Sequence, residues 1–274
     1  MALYSAVCPL PVNRIKNRLF DADARDYILR VEAADGQRLE SQVRGAINAF
    51  VIGCKADGTW TSLVASCIMA GARTVAGAIV PLRGNAPTNN NFVAGDYSRT
   101  LGLLGNDSNK YLATGYNNND TTNFPQNDSH ISCYVSATQT DASGVLVGTQ
   151  NTLGSILTMA YSSQTQIFFR NRASTSRLFS AAPLGFQGST RNNSANFFSR
   201  ATQSGGNISD VTATIASGAP SNQLFGVFCG FSSTTANQFS AARMSFYSIG
   251  KSLTIANLDT RVTTLMTTLA RVIA

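Results

Sequence analysis

Between residues 21 and 71 apolar side chains recur at three- and four-residue intervals, the period of an α-helix with one buried face. Asp21 or Asp23 can cap a first helix that carries Tyr27, Ile28 and Val31 on one side. Asp35-Gly36 interrupts the pattern. Leu39, Val43, Ala46, Ile47, Phe50 and Val51 then form the best amphipathic stretch of this half. After a second break at Asp57-Gly58, Leu63, Val64, Cys67 and Ile68 predict a third, shorter helix ending near Gly71. Residues 72–82 are small and apolar, and Pro81 prevents one helix from spanning them. From about Gly84 to Gly250 the texture changes to short β-rich runs separated by Gly, Asn, Asp and Ser clusters. Strands are predicted at 91–93, 110–112, 131–136, 144–147, 156–161, 166–169, 185–188, 196–200, 224–230 and 241–249, a spacing that suits a sandwich or barrel. The chain closes on a helical seam, Ile255, Leu258, Val262, Leu265, Leu269 and Val272, in alternating steps of three and four. The seam is short for a free-standing coiled coil, so docking against the N-terminal helices of the same chain is preferred to an intersubunit bundle.

These patterns divide the chain into an extended arm (1–20), a helical attachment segment (21–84), a β-sandwich (85–250) and a C-terminal helix (251–274). The arm, with Pro9 and Pro11, is expected to be pinned by neighbouring chains. Its basic residues follow its apolar stretch, the reverse of a secretory signal, and no apolar run is long enough to span a bilayer. Charged residues make up only 13% of the chain, and Ser, Thr, Asn, Gln and Gly take their place, which suits an assembly or sugar-contacting protein better than a metabolic enzyme. The net charge of +7 comes mostly from arginine. Cys8, Cys54, Cys67, Cys133 and Cys229 are too scattered for a zinc site or a disulfide framework and predict buried reduced thiols.

Three runs carry a resemblance. They are Phe92-Val93-Ala94-Gly95-Asp96-Tyr97-Ser98-Arg99 with the following Gly102-Leu103-Leu104-Gly105-Asn106 and Lys110-Tyr111-Leu112; Ala241-Ala242-Arg243-Met244-Ser245-Phe246-Tyr247-Ser248-Ile249-Gly250; and Leu258-Asp259-Thr260-Arg261-Val262. Together they resemble the concanavalin-like (laminin G/pentraxin-type) sandwich, or jelly roll, of bacteriophage structural and tail-fibre-type proteins, those of cyanophages among them. The resemblance implies a mainly β antiparallel sandwich between an N-terminal helical segment and a C-terminal helix. It also implies a non-enzymatic role on the virion surface, after synthesis in the host cytoplasm. Two roles fit: a tail fibre or spike component that contacts host surface glycans, and a capsid decoration (cement or head fibre) protein that clamps capsomers. Other virion proteins are the expected partners, with a homotrimer by analogy and no membrane insertion.

Some concanavalin-like folds hydrolyse glycosides, which requires two opposed carboxyl groups. Glu32 and Glu40 are the only glutamates and lie in the helical segment, and the aspartates of the β region show no paired spacing, so hydrolysis is not expected. His130, the single histidine, is expected to make ordinary hydrogen bonds rather than serve a triad. The polar run holding Asp120 and Asp128 could bind calcium, as related sandwiches do, or form solvated turns; no other cofactor is expected. Arg170, Arg172, Arg177, Arg191 and Arg200 fall in a stretch without acidic residues and are the candidate contacts to an anionic glycan or a neighbouring subunit. Without a recognition motif or a lysine-rich arm, nucleic acid is not an expected partner.

Overall fold

A computed structural model describes residues 20–137, 143–150, 156–163, 166–180, 183–203 and 205–273, with Thr158 the only described side chain of 156–163. The expected N-terminal arm lies almost wholly outside these residues. Three layers stack in the order helices, sheet A, sheet B.

Helix α1 (Ala22–Asp35) starts at Asp21, whose carboxylate accepts the backbone N–H of Asp23 and Ala24, and stops at Gly36 in the left-handed conformation. Its buried face is the predicted one, Tyr27, Ile28 and Val31 with Ala24. Lys55 donates to Asp21 as well, at 2.7 Å. Replacing Asp21 with alanine is expected to cost about 1 kcal/mol and to lower the melting temperature by roughly 2–4 °C, read by calorimetry. Helix α2 (Ser41–Ala56) buries Val43, Ile47, Phe50, Val51 and Cys54. A short helix α3 (Val75–Ala78) lies within the small apolar stretch 72–82, and α4 (Ile255–Ile273) follows the last described strand.

The strands in chain order are β1 (Leu63–Ile68), β2 (Pro81–Arg83), β3 (Thr88–Asn90), β4 (Tyr97–Ser98), β5 (Gly102–Leu104), β6 (Tyr111–Asn117), β7 (Ser129–Ala137), β8 (Gly144–Gly148), β9 (Ile156–Ser163), β10 (Gln166–Ala173), β11 (Arg177–Phe179), β12 (Pro183–Arg191), β13 (Phe197–Gln203), β14 (Ile208–Ala213), β15 (Leu224–Val227), β16 (Gly230–Ser232), β17 (Thr235–Asn237) and β18 (Arg243–Gly250). Sheet A runs β14-β13-β12-β7-β18-β1-β2, with β4 and β5 attached through β18; sheet B runs β11-β10-β9-β8-β15-β6-β3. Paired strands are antiparallel throughout, so the mainly β, antiparallel sandwich with helices at both ends is the fold of this chain.

Two local expectations are overturned. Leu63–Ile68 is strand β1, not a helix; it pairs with β18 on one side and β2 on the other. Its apolar residues are buried on both faces, Cys67 toward sheet B and Leu63 and Ile68 toward the helices, and such a run has no period that separates helix from strand. The sandwich therefore draws β1 and β2 from the segment expected to be helical. The strand expected at 91–93 is instead at Thr88–Asn90, and Asn91 turns the chain with φ at 67°.

Alternation in sheet A separates two cores. Ile131, Cys133, Val135, Tyr247 and Ile249 face sheet B and meet Leu112, Phe169 and Phe225. Phe186 and Phe246 face the helices, and Phe246 packs edge-on against Phe50 of α2, ring centroids 6.0 Å apart. The seam of α4 completes this second core: Ile255, Leu258, Val262, Leu265 and Leu269 are buried in it and Val272 packs at its edge. The seam thus docks on its own chain, the arrangement preferred over an intersubunit bundle. Two glycines set how closely α4 approaches. A Cβ on Gly188 would sit 2.8 Å from Cδ1 of Ile255, and one on Gly53 would sit 2.7 Å from Cδ of Arg261. Across that second gap Arg261 reaches Asp57 with two hydrogen bonds, of 2.7 and 2.9 Å. Cys54, Cys67, Cys133 and Cys229 are buried free thiols, and burial pushes Cys54 and Cys67 up to about 12.

Candidate functional site

The outer face of sheet A is wider than the helices that cover it. Where α4 crosses β7, β12 and β13 it leaves a groove of about 600 Å³, within the usual range for small-molecule sites. Tyr134 of β7 and Leu184 of β12 form part of its floor, Thr202 and Gln203 of β13 one wall, and Asp259, Thr263 and Met266 of α4 the other. Leu101 and Ile208, 41% and 51% exposed, stand at the rim.

The polar groups converge from α4. Asp259 takes a 2.8 Å hydrogen bond from Nε of Arg200 on one carboxylate oxygen and a 2.9 Å bond from the Thr263 hydroxyl on the other. Arg200 also donates to Asp210 at 3.0 Å. Tyr134 is half-buried beside this set, and its hydroxyl makes no hydrogen bond among the described residues. Burial, and after it the nearby Asp259 carboxylate, raises its pKa, so it stays a neutral donor. The hydroxyl of Ser245, also lining the groove, is buried with no partner among the described residues. A half-buried tyrosine with a free hydroxyl and an oriented carboxylate therefore share one concavity, an arrangement suited to a ligand with both C–H faces and hydroxyl groups.

The five predicted arginines do not form a surface. Arg172 and Arg191 are interior, 0% and 1% exposed. Arg172 sits at a register break of β10 with φ at 55°, which turns it inward. It donates to the carbonyl and side-chain oxygens of Asn118 and to the carbonyl of Phe124. Arg191 donates to the carbonyls of Asn171, Asn193 and Ile215 at 2.7, 3.1 and 2.8 Å, with its guanidinium over the Phe197 ring. Burial lowers both, Arg172 to about 9 with a further push from Arg191, and Arg191 to about 10. Each ties end loops of the sandwich together, and neither can touch an external ligand. Arg177 is exposed and lies over Phe179, Arg170 is half-buried on β10, and Arg200 stands behind Asp259.

Asp120 and Asp128 both accept hydrogen bonds that shape the loops around them. Burial raises Asp120, but bonds from the Asn123 side chain and from the N–H groups of Asn123 and Thr122 more than offset this and hold it low. Asp128 accepts the N–H of Ser252 at 2.7 Å. Among the described residues no three His, Cys, Asp or Glu side chains converge as a metal cluster. His130 is fully buried, with Nδ1 2.6 Å from the Lys251 carbonyl and Nε2 2.9 Å from the Ser248 hydroxyl, which is 2.7 Å from that of Ser132. The carbonyl can only accept, so Nδ1 carries the proton, Ser248 donates to Nε2 and Ser132 donates to Ser248. The chain of bonds is fully used in pinning β7 and β18 to the lead into α4.

No protein-family model and no curated relative matches the chain. Among solved structures, the binding domain of botulinum neurotoxin serotype D matches with TM-score 0.45 and 9% identity over 74% of this chain and 50% of that one. The CBM40 domain of the Ruminococcus gnavus IT-sialidase bound to α2,3-sialyllactose matches with TM-score 0.37 and 12% identity over 58% and 96%. The K499G mutant of the NanB sialidase from Streptococcus pneumoniae matches with TM-score 0.35 and 9% identity over 49% and 24%. The chain thus spans a quarter of the sialidase chain and half of the toxin domain chain. Likenesses of this size assign neither a family nor a function. Among the described residues no helix is long and apolar enough to cross a membrane.

Proposed function

We infer that this protein is a non-enzymatic glycan-contacting sandwich, and that sugar lies in the groove between α4 and the outer face of sheet A. The observation that carries the reading is the Tyr134 ring, with its unbonded hydroxyl, set beside the Asp259–Thr263 pair. Sugars present apolar C–H faces and rings of hydroxyls, and an aromatic face with planar polar neighbours meets both. Hydrolysis needs a second carboxyl group across the scissile bond, and among the described lining residues Asp259 is the single acid, held in an ion pair by Arg200. Its sequence resemblance to phage proteins favours display on a virion, as a tail fibre or spike component whose weak sugar contacts are multiplied by symmetric copies. Capsid decoration is the second reading. A trimer now rests on analogy alone.

On an immobilised glycan panel the protein is expected to bind a subset of saccharides, and Tyr134→Ala to weaken that binding at least tenfold with an unchanged near-ultraviolet circular dichroism spectrum. No reducing sugar should be released from the bound glycans. Unaltered binding by both Tyr134→Ala and Thr263→Val would remove the groove as the site. Binding to phage capsids with no saccharide bound would favour the decoration role.

A further inference from the structure

The same side of the molecule holds a second cavity, of about 320 Å³, lined by Thr190, Asn192, Asn196, Phe198 and the chain leading into α4 at Thr254. It lies along the same strand, β13, as the first, and beside the start of the same helix. Phe198, Arg200 and Thr202 are alternate residues of β13 and face the same way. Phe198 lines the second cavity, Arg200 bonds to Asp259 on α4, and Thr202 lines the first cavity. On the opposite wall Thr254, just ahead of α4, and Asp259 and Thr263 on it follow in the same order. The spans agree: four strand residues cover about 13 Å and nine helical residues about 13.5 Å. The two cavities therefore lie in line along the same two elements, with the Arg200–Asp259 pair as a saddle between them.

The saddle also states a charge preference. Arg200, with Asp210 and Asp259 bonded to it, carries one formal positive and two formal negative charges. The described lining of both cavities contains no lysine and no arginine. An anionic ligand would meet net negative charge there and no unpaired cation, at a cost that grows as water is excluded. The second cavity instead offers a phenylalanine ring, two amide side chains and two threonine hydroxyls.

We propose that the two cavities act as one channel across this saddle and take an extended neutral oligosaccharide, one end against Tyr134 and the other against Phe198, rather than a single terminal sugar or an acidic glycan. This rests on the glycan reading above and narrows it. Of the five arginines that the sequence singles out, the site uses Arg200 alone, and there as the partner of Asp259.

The test uses the full chain and immobilised linear α-1,4-glucans, β-1,4-glucans and β-1,4-linked N-acetylglucosamine chains of one to six units, beside sialylated and uronic-acid chains of equal length. Affinity for one neutral series is expected to rise at least tenfold between the disaccharide and the hexasaccharide and to change little with salt. Phe198→Ala is expected to return the hexasaccharide to disaccharide affinity and leave the disaccharide unaffected, while Tyr134→Ala weakens both. Asn192 is exposed, so Asn192→Ala, which leaves the core intact, should weaken the hexasaccharide alone if Phe198→Ala proves unstable. Equal affinity at all lengths, or a preference for acidic chains, overturns the extended neutral site while Tyr134-dependent binding preserves the glycan reading. Absence of binding to every saccharide overturns both.

Discussion

Arg172→Ala is expected to destabilise the protein by about 4 kcal/mol and to lower its melting temperature by on the order of 10 °C. The guanidinium satisfies three oxygens in the loop between β6 and β7, and truncation leaves them buried without a donor. Two effects oppose this loss. Removing the side chain ends the cost of burying a cation, and it ends the repulsion from Arg191. Both are smaller than the loss of three charge-assisted bonds, each about 1.5–3 kcal/mol, because the penalty for the stranded acceptors is added to it. The backbone supplies an internal control. At φ 55° any side chain with a Cβ is strained, so Arg172→Gly should be about 1 kcal/mol less harmful than Arg172→Ala. Arg172→Lys keeps the charge but not the fork that reaches both Asn118 and Phe124, and should recover less than half the loss. Urea unfolding of the three variants measures all of this. A change below 1 kcal/mol for the alanine variant would show that the loop finds other donors.

Acidification from pH 7 toward pH 4 is expected to cost on the order of 3 kcal/mol through His130 alone, most of it by pH 4.5. Burial lowers this imidazole from 6.5 to about 4, against smaller upward pulls from the Lys251 carbonyl and Asp128. Above pH 6.5 the ring is neutral whether the chain is folded or not, and the full stability is present. Between 6.5 and 4 the unfolded chain takes up a proton that the folded chain refuses, so stability falls. Below 4 both forms are protonated and the histidine contributes no further change. The carboxylates held low by their partners, among them Glu40 with Arg99 and Asp96 with Lys110, lose their contribution only at more acidic pH. The interval from 6.5 to 4.5 therefore belongs to the histidine. His130→Asn should flatten the stability profile there. As the chain has one histidine, a single imidazole resonance reports the titration. A folded-state resonance that titrates near 6.5 would sink this assignment.

What could be read in the sequence follows from how one-sided each element is. Helices α1 and α2 and the seam of α4 each bury one stripe, so Tyr27, Phe50 and Leu265 were recognisable as core. Strands β7, β10 and β12 were recognisable from β-branched and aromatic runs between turn residues. Strand β1 was not, because it is covered on both faces and loses the alternation that marks a strand. The arginine stretch misled for a local reason: one register break in β10 turned Arg172 from the expected outward direction into the core, beside Arg191. The groove was illegible. Tyr134, Asp259 and Ser245 come from three elements far apart in sequence, and no spacing relates them. Only Arg200 was picked out beforehand, and it reaches the groove through Asp259.

The position of β18 has a consequence for how the molecule is made. This strand lies between β1 and β7, and among the described strands it comes last in chain order. Cys67 and Tyr247, side by side across β1 and β18, are separated by 180 residues. At about 5–20 residues per second a ribosome needs roughly 10–40 s to cover that distance. During that interval the nascent chain carries β1 with its main interstrand partner still unmade, and α2 lacks the helix it will pack against. Sheet A can close only once β18 has been synthesised, so the growing polypeptide carries an incomplete sheet for longer than a protein built from local hairpins.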